Sequence, residues 1–318
     1  MLAWGPSAVG SMQSFSEHRL GSVTASLWRS DAVKLLLDIA PESVDLIVTS
    51  PPYFIGKSYD TSQRILDFLG EIRRVIPPMI RCLKLGGSLC WQVGNHVDKG
   101  EVTPLDVLVV GAMDSRAGMV LRNRIIWTFG HGMHASKRFS GRHETILWYT
   151  KGSGYYFDLD GVRVPQSYPG KRHYKGPNRG DWSGHPLGKN PGDVWDVGDV
   201  WEIPNVKANH IEKTAHPCQF PSALVQRLIR ALSPKGGLVL DPYVGSGTSG
   251  IAALLEGRRF IGGDVEEQYL RIARDRFRSL ERGRLRVRPD VPVHAPTGRE
   301  GVTITPPHFR FVKGARDG

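Results

Sequence analysis

The fold is decided by the stretch Asp241-Pro242-Tyr243-Val244-Gly245-Ser246-Gly247-Thr248-Ser249-Gly250, which follows an apolar run and opens a helical pattern. Its three glycines have the spacing of a turn that joins a buried strand to a helix and binds a nucleotide-like ligand. Asp264 ends the next predicted strand, where a carboxylate can bind ribose hydroxyls. The stretch therefore predicts an open α/β sheet with a ligand site beside this turn.

The residue that begins the stretch bears on the identity of the ligand. A carboxylate at Asp241, directly before the loop, would repel the pyrophosphate of a dinucleotide such as NAD. The same carboxylate suits a ligand with a cationic amino group, and S-adenosylmethionine has one together with an adenosine. S-adenosylmethionine is therefore the expected cofactor, and an NAD-dependent dehydrogenase is the alternative from another class of enzyme.

Length and composition limit the remaining possibilities. The chain has 318 residues, 42 Lys and Arg against 31 Asp and Glu, and 40% apolar residues. This apolar fraction supports a packed core, and a net charge of +11 favours a polyanionic partner, most simply nucleic acid. We expect no membrane span and no secretory signal. Three cysteines without a metal-binding spacing fit a reducing, cytoplasmic location.

Two blocks of alternating strands and helices predict a doubly wound, mostly parallel sheet with one reversed strand. The first block has predicted strands at 44–48, 88–93, 124–129 and 145–150, and helices at 62–83 and 103–116. The prolines at 77 and 78 are expected to disturb the first of these helices. The second block has predicted helices at 222–232, 245–255 and 266–280, and strands at 238–240 and 259–264.

A glycine- and proline-rich segment separates the two blocks. Between 163 and 189 it has six Lys or Arg and one acidic residue, with Tyr168, Tyr174 and Trp182 among them. A solvated surface loop is one interpretation, and a nucleic-acid contact surface is the other. The expected DNA-binding residues are Lys171, Arg172, Lys175 and Arg179. The predicted division of the chain is 22–151, 152–215, 216–282 and a basic arm or tail at 283–318.

The tetrapeptide Ser50-Pro51-Pro52-Tyr53 ends a predicted parallel strand, where ligand crevices of α/β sheets open. A Pro-Pro-Tyr sequence alone is usually only a turn. Here the residues suit an exocyclic amine as nucleophile. The Ser50 hydroxyl and the Pro51 carbonyl can accept its protons, and Tyr53 offers a face on which an extruded base can stack.

Taken together and in this order, these motifs resemble the β class of amino DNA methyltransferases. The resemblance extends from about residue 30 to residue 278. It implies the fold of S-adenosylmethionine-dependent methyltransferases, with a small target-recognition insertion at 152–215. It also implies that Ser50, Pro51, Pro52 and Tyr53 are the catalytic residues. The residues implied to bind the cofactor are Asp31, His216, Pro217, Asp241, Tyr243, Gly245, Ser246, Gly247, Thr248 and Asp264.

The implied reaction is transfer of a methyl group to the N4 amine of a cytosine flipped out of double-stranded DNA. Within the family, Ser-Pro-Pro-Tyr is similar mainly to N4-cytosine enzymes, and N6-adenine is the alternative target. A DNA-binding protein without catalysis is the alternative that is not an enzyme. The further expected partners are a second copy of the chain and a cognate restriction endonuclease, at a nucleoid-associated location.

Two other patterns suggest different chemistry. Pro217-Cys218-Gln219 resembles the nucleophilic tripeptide of cytosine-C5 methyltransferases, but a helix follows it and the chain has no Glu-Asn-Val triplet. We expect Cys218 to lie outside the base pocket. His131, His134 and His143 could suggest a metal site, but no acid or cysteine completes a set of ligands at suitable spacing. No metal is therefore assigned.

Overall fold

The computed structural model describes residues 14–52, 65–113, 118–129, 134–166, 168, 170–195, 203, 205–206 and 210–288. Its strands and helices are, in chain order, β1 (Ser16–Leu20), β2 (Val23–Arg29), α1 (Ala32–Asp38), β3 (Val44–Thr49), α2 (Ile65–Cys82), β4 (Leu83–Val93), β5 (Asn95–Asp98), β6 (Glu101–Pro104), α3 (Leu105–Met113), β7 (Met119–Thr128), β8 (His143–Lys151), a 3₁₀ turn (Asp160–Val162), β9 (Val194–Trp195), α4 (Ser222–Leu232), β10 (Leu238–Asp241), α5 (Thr248–Leu255), β11 (Arg259–Asp264) and α6 (Glu267–Glu281). Tyr53 and the predicted tail after 288 lie outside these residues.

Nine of the eleven described strands form one large sheet in the order β1-β2-β11-β10-β3-β4-β8-β7-β9, and β5 and β6 form a separate hairpin. β2, β11, β10, β3 and β4 are parallel, which confirms the predicted doubly wound α/β fold. Two strands of this sheet run against the others, not one. β8 is antiparallel to both of its neighbours, and β1 pairs with β2 in a hairpin that the sequence analysis did not identify.

The order of the strands differs from their order in the chain. β2 and β3 are consecutive parallel strands, but β11 and β10, from the far end of the domain, lie between them. From the centre, α2 carries the chain from β3 outward to β4, and α5 carries it the opposite way from β10 to β11. The switch point, where ligand crevices open in such sheets, is therefore between β10 and β3.

Helices cover both faces of the sheet. Side chains of α1, α2 and α3 form one apolar cluster on the first face, and those of α4, α5 and α6 form a second cluster on the other. Successive strand residues contribute to opposite clusters, as in β10, where Leu238 and Leu240 face the first cluster and Val239 faces the second. This burial on both faces explains why the central strands are continuously apolar.

The structure corrects two predictions of local structure. α2 continues through Pro77 and Pro78, although the lost backbone donors weaken a helix interior. Burial of its apolar face, including Pro78 itself, holds the helix in place of those hydrogen bonds. The helix predicted from 103 begins at Leu105, because 101–104 pair with 95–98 in a hairpin whose turn contains Gly100 at φ 93°.

The segment predicted as an insertion is mostly exposed but is tied to the sheet. Val164 and Lys189 form an isolated antiparallel bridge, and β9 pairs in parallel with β7 and forms the edge of the sheet. The Trp127 indole also donates a hydrogen bond of 2.7 Å to the Ile203 carbonyl. Among the described helices, none has the length and apolar character needed to cross a membrane.

Candidate active site

The predicted site residues meet at one edge of the sheet. β2, β11, β10, β3 and β4 all end at this edge, and so does β7, because the reversed β8 lies between β4 and β7. Asp31, Asp264, Asp241 and Ser50 therefore come together although they are far apart in sequence. This is the edge at which doubly wound sheets bind their ligands.

The turn after β10 requires its glycines. Gly247 caps α5 with φ 81°, and Gly245 has φ 49°, both in the left-handed region. A Cβ on Gly245 would lie 2.9 Å from His216 Nε2. A Cβ on Gly250 would lie 2.4 Å from Phe277 Cζ. The first and third glycines thus permit close packing, and the turn leaves backbone exposed to the cavity beside it.

Asp241 lies behind this turn rather than in contact with the cavity. One carboxylate oxygen accepts hydrogen bonds from the Thr49 hydroxyl (2.8 Å) and the Tyr243 amide (3.1 Å), and the other from the Ser249 hydroxyl (2.6 Å). Burial raises the pKa of Asp241 to about 6 against these three donors. The geometry therefore makes Asp241 a brace between β3 and the glycine turn, not a partner for a ligand's amino group.

Asp264 has the position expected of a ligand-binding carboxylate. One of its oxygens accepts the Gly245 amide at 3.0 Å and the other accepts the Glu266 amide at 2.9 Å. Each oxygen can accept a further hydrogen bond, and the residue lines the cavity. Burial raises the pKa of this carboxyl to about 6. Asp264 can thus hold the glycine turn and bind hydroxyl groups at the same time.

Asp31 and His216 complete this side of the site. Asp31 caps α1 by accepting the amides of Val33 and Lys34, and its second oxygen pairs with Arg74 at 3.3 Å. The His216 ring packs edge-on against Tyr269 at 4.4 Å between ring centroids. Both residues line the cavity, so helix capping and ring packing fix their positions before any ligand binds.

A single cavity of about 560 Å³ connects these groups, within the range of small-molecule sites. We call one side of it the glycine wall, which comprises residues 242–246, Thr248, Asp264 and His216. The predicted site residues that line the cavity are Asp31, Ser50, Pro51, Pro52, His216, Pro217, Tyr243, Gly245, Ser246, Thr248 and Asp264. Asp241 and Gly247 shape the cavity without lining it, and Tyr53 lies outside the described residues.

The opposite side, which we call the serine wall, comprises Ser50, Pro51, Gln92, Trp127 and Glu144. Sequence analysis missed the last three of these residues. The Gln92 amide nitrogen donates a hydrogen bond to the Glu144 carboxylate, and the Gln92 side chain is buried. All three lie at the ends of strands that meet the edge. Their positions at strand ends would have suggested a place in the cavity only if the antiparallel pairing of β8 with β4 and β7 had been predicted.

Arg276 is a further residue that sequence analysis missed. It is buried on α6 behind the glycine turn, where its guanidinium donates to the Ser246 carbonyl at 2.7 Å and to the Thr248 hydroxyl at 3.0 Å. Burial lowers the pKa of Arg276 to about 10, so it remains a cation at neutral pH. Its hydrogen bonds keep the start of α5 in place against the cavity.

The four predicted DNA-binding residues, Lys171, Arg172, Lys175 and Arg179, are all exposed and outside the cavity. They lie on a small hairpin in which Arg172 and Trp182 form an antiparallel bridge. The Arg172 guanidinium lies 3.9 Å from the centre of the Trp182 ring and donates to the Gly180 carbonyl at 2.6 Å. Arg172 therefore stabilises the hairpin that presents the other three cations.

The structure also bears on the two rival patterns. Cys218, which was expected outside the base pocket, lines the cavity next to His216 of the glycine wall, and its backbone amide donates to His216 Nδ1 at 3.3 Å. His131 lies outside the described residues. His134 lies 3.5 Å from the Arg142 guanidinium. Within the described part of the chain, no three His, Cys, Asp or Glu residues are grouped as metal ligands would be.

Comparison with known proteins assigns this site to a family. A family model for DNA methylases of the N6 and N4 type matches residues 44–275. The chain is 45% identical to the type II methyltransferase M.BglII of Bacillus subtilis, over 78% of this chain and 67% of the relative. It is 31% identical to the DNA adenine methyltransferase YhdJ of Escherichia coli K12, over 80% of this chain and 83% of the relative.

Solved structures agree with these relatives. The fold matches the cytosine-N4-specific PvuII DNA methyltransferase with a TM-score of 0.62 at 21% identity, over 80% of this chain and 86% of that one. It matches a putative DNA modification methylase of Thermus thermophilus, complexed with S-adenosyl-L-methionine, with a TM-score of 0.56 at 29% identity, over 80% and 95%. The chain therefore belongs to the family of N6 and N4 DNA methylases, the S-adenosylmethionine-dependent methyltransferases that modify exocyclic amines of DNA bases.

Proposed function

We propose that this enzyme methylates the N4 amine of a cytosine that has been flipped out of double-stranded DNA. One observation carries the proposal. The Ser-Pro-Pro motif and the glycine turn line the same cavity, and the Thr49–Asp241 hydrogen bond joins the strands that precede them. An amine held at Ser50 therefore lies in the cavity that also receives the methyl donor.

The glycine wall provides the binding site for S-adenosylmethionine in this proposal. The Asp264 carboxylate binds the ribose hydroxyls, and the backbone of Gly245, which has no side chain, lies against the ligand. Asp31, His216 and Tyr243 form the rest of the surface. The fit is supported by the closeness of Gly245 to His216, since a side chain at 245 would occupy the cavity.

The serine wall orients the amine. The nitrogen lone pair of a cytosine amine is delocalised into the ring, so the nitrogen is a weak nucleophile. Hydrogen bonds from its two protons to the Ser50 hydroxyl and the Pro51 carbonyl favour a pyramidal nitrogen whose lone pair points at the donor. When bound, S-adenosylmethionine would supply the methyl group: the N–C bond would form as the S–C bond breaks, S-adenosylhomocysteine would leave, and the proton lost from the amine would pass to water. Tyr53, which lies outside the described residues, is proposed to stack on the flipped base.

The choice of cytosine is supported by the sequence Ser50-Pro51-Pro52-Tyr53 and by the resemblance that it carries. N6-adenine is the second candidate, since a relative at 31% identity is named a DNA adenine methyltransferase. Both amines have the same conjugated chemistry and would use the same acceptors. The two candidates differ in the target base and share the mechanism.

Each part of the predicted division of the chain has a role in this proposal. The units at 22–151 and 216–282 form the catalytic domain, and the exposed cations of 152–215 contact DNA phosphates as a target-recognition region. A homodimer, a cognate restriction endonuclease and action on nucleoid DNA are further proposals. They rest on the relatives, which are named as type II methyltransferases.

The product tests the proposal directly. Plasmid DNA from a host that lacks its own DNA methylation, expressing this chain, is hydrolysed and its nucleosides are identified by mass spectrometry. We expect N4-methylcytosine, formed equally by the Cys218→Ser variant because no thiolate attack is needed. Detection of N6-methyladenine instead would show that the target base is adenine, and the proposed mechanism would stay the same. C5-methylcytosine that disappears in Cys218→Ser, or unmodified DNA, would contradict the proposal.

A further inference from the structure

A second basic segment, distinct from the predicted recognition region, lies beside the active site. It joins β7 to β8, and its described part is residues 134–142. β7 runs in the same direction as β4, so this segment leaves the sheet at the edge where the cavity opens. Trp127, near the end of β7, and Glu144, at the start of β8, both line the cavity. The segment therefore stands directly at the serine wall.

The segment is held in a defined shape by its own hydrogen bonds. The Phe129 amide donates to the Arg142 carbonyl at 2.9 Å, which continues the β7–β8 pairing to the base of the segment. Further out, the Ala135 amide donates to the Ser140 hydroxyl at 3.1 Å. These two bonds close the segment below residues 136–139. Because the tip already has a defined conformation, binding to a partner does not require the entropy cost of ordering it.

The charge of this segment suits a polyanion. Residues 134–142 include Lys137, Arg138, Arg142 and His134 and no acidic residue. Lys137 and Arg138 are exposed at the tip. Ammonium and guanidinium groups are the side-chain groups that most often bind DNA phosphates.

Phe139 lies at the same tip and is 99% exposed, the largest exposed fraction of any large apolar side chain in the described part of the chain. Folding gains nothing from a ring in this position, since it buries no apolar surface. Proteins that kink or open duplex DNA insert apolar side chains of this kind between bases. An exposed ring next in the chain to two cations, on a segment that leaves the sheet beside the cavity, has the composition of such a wedge.

We infer that the 134–142 segment opens the DNA duplex, with Phe139 entering the base stack where the target base leaves it. The inference rests on the proposed function, because a base inside a duplex cannot reach Ser50 until it is unpaired and unstacked. Lys137 and Arg138 hold the flanking phosphates. The exposed hairpin with Lys175 binds DNA elsewhere, so binding and opening are assigned to different segments.

The test compares one substrate with its target base paired and a second with the same base mispaired. The recognition sequence for these duplexes comes from modified-base sequencing of the plasmid DNA described above. Single-turnover methylation is measured with saturating S-adenosylmethionine. A mispaired base costs less to extrude, so it bypasses the need for a wedge. We expect Phe139→Ala to lose roughly 10- to 100-fold in rate on the paired target and little on the mispaired one.

Three variants make the result specific. Phe139→Trp should restore most of the rate on the paired target, because a larger ring can also unstack bases. Leu85→Ala removes another exposed apolar side chain, 77% exposed at the opposite end of β4, and should behave like the unmodified enzyme on both duplexes. Tyr174→Ala removes an exposed ring from the hairpin that contains Arg172 and Lys175. Any loss of methylation rate in this variant should be equal on the two duplexes.

Equal loss by Phe139→Ala on both duplexes would show a role in folding or in general binding and would overturn the inference. An unchanged rate on both would overturn it as well. These outcomes differ from failure of the proposed function, in which the unmodified enzyme itself methylates neither duplex.

Discussion

The two walls of the cavity are built in opposite ways. Most of the glycine wall is one short stretch of chain, 242–248, whose backbone shape is fixed by positive φ angles and by contacts with His216 and Phe277. The serine wall is made of Ser50 and Pro51, which follow β3, and of side chains from β4, β7 and β8, and these parts meet only because β8 is reversed. A wall formed by backbone, such as the glycine wall, tolerates few substitutions, but a short stretch of sequence is enough to identify it. A wall formed by separate residues, such as the serine wall, can have each residue substituted without changing the others.

The largest expected effect is on the serine wall. Ser50→Ala removes the acceptor that is proposed to orient the amine in the transition state, and such groups typically contribute roughly 100-fold or more to the rate. We expect kcat to fall by about this factor, with the affinity for S-adenosylmethionine unchanged. Ser43→Ala is the matched control, since the Ser43 hydroxyl donates only to the local Ala40 carbonyl among the described contacts. A weaker cofactor affinity in Ser50→Ala would show that the two walls are not separable.

A smaller effect is expected on the glycine wall, where Asp264 is proposed to bind the ribose hydroxyls as a carboxylate. Its pKa is raised to about 6, so the free enzyme is protonated there below pH 6 and loses that acceptor. The affinity for S-adenosylmethionine should therefore be about tenfold weaker at pH 5 than at pH 7, with proton release on binding near pH 6. Calorimetry in two buffers of different ionisation enthalpy measures both.

Asp264→Asn is the control for this pH dependence. The amide does not titrate, so its affinity should be weaker at pH 7 but nearly constant down to pH 5. A variant that kept the wild-type pH profile would place the titrating group elsewhere, for example at the buried Asp241 carboxyl, whose pKa is also raised to about 6.

The smallest effect is expected outside both walls. Lys175 is exposed on the hairpin closed by the Arg172–Trp182 bridge, which is proposed to contact DNA, so Lys175→Ala should remove one phosphate contact and lower the salt slope of DNA affinity by about 0.9. Neither kcat nor cofactor affinity should change. Lys235→Ala, an exposed lysine before β10 on the opposite edge of the sheet, should leave the slope unaltered. Equal slopes for both variants would mean that the hairpin does not face DNA.

The difference between the walls also explains what could be predicted from sequence. Helix 222–232 and strand 259–264 were predicted with the bounds that the structure has, because glycines, prolines and apolar periodicity mark their ends locally. Glu144 and Gln92 could not be found in this way. Their contact depends on the pairing of β4 with β8, which no local pattern encodes. The expectation that Pro77 and Pro78 disturb the helix predicted at 62–83 was wrong for a related reason, since tertiary packing outweighed the local penalty.

The position of β10 and β11 between β2 and β3 has a consequence for how the protein is made. During synthesis on the ribosome, β2 and β3 are made early. The strands that lie between them in the sheet, β10 and β11, are made much later, so until then β2 and β3 each lack a pairing partner on one side. Contacts this distant in sequence are slow to form. The Thr49–Asp241 hydrogen bond, and with it the joined active site, can exist only once the centre of the sheet has closed. A nascent or truncated chain that ends before 238 thus cannot assemble the cavity, so methylation is confined to chains that have been completed through β11.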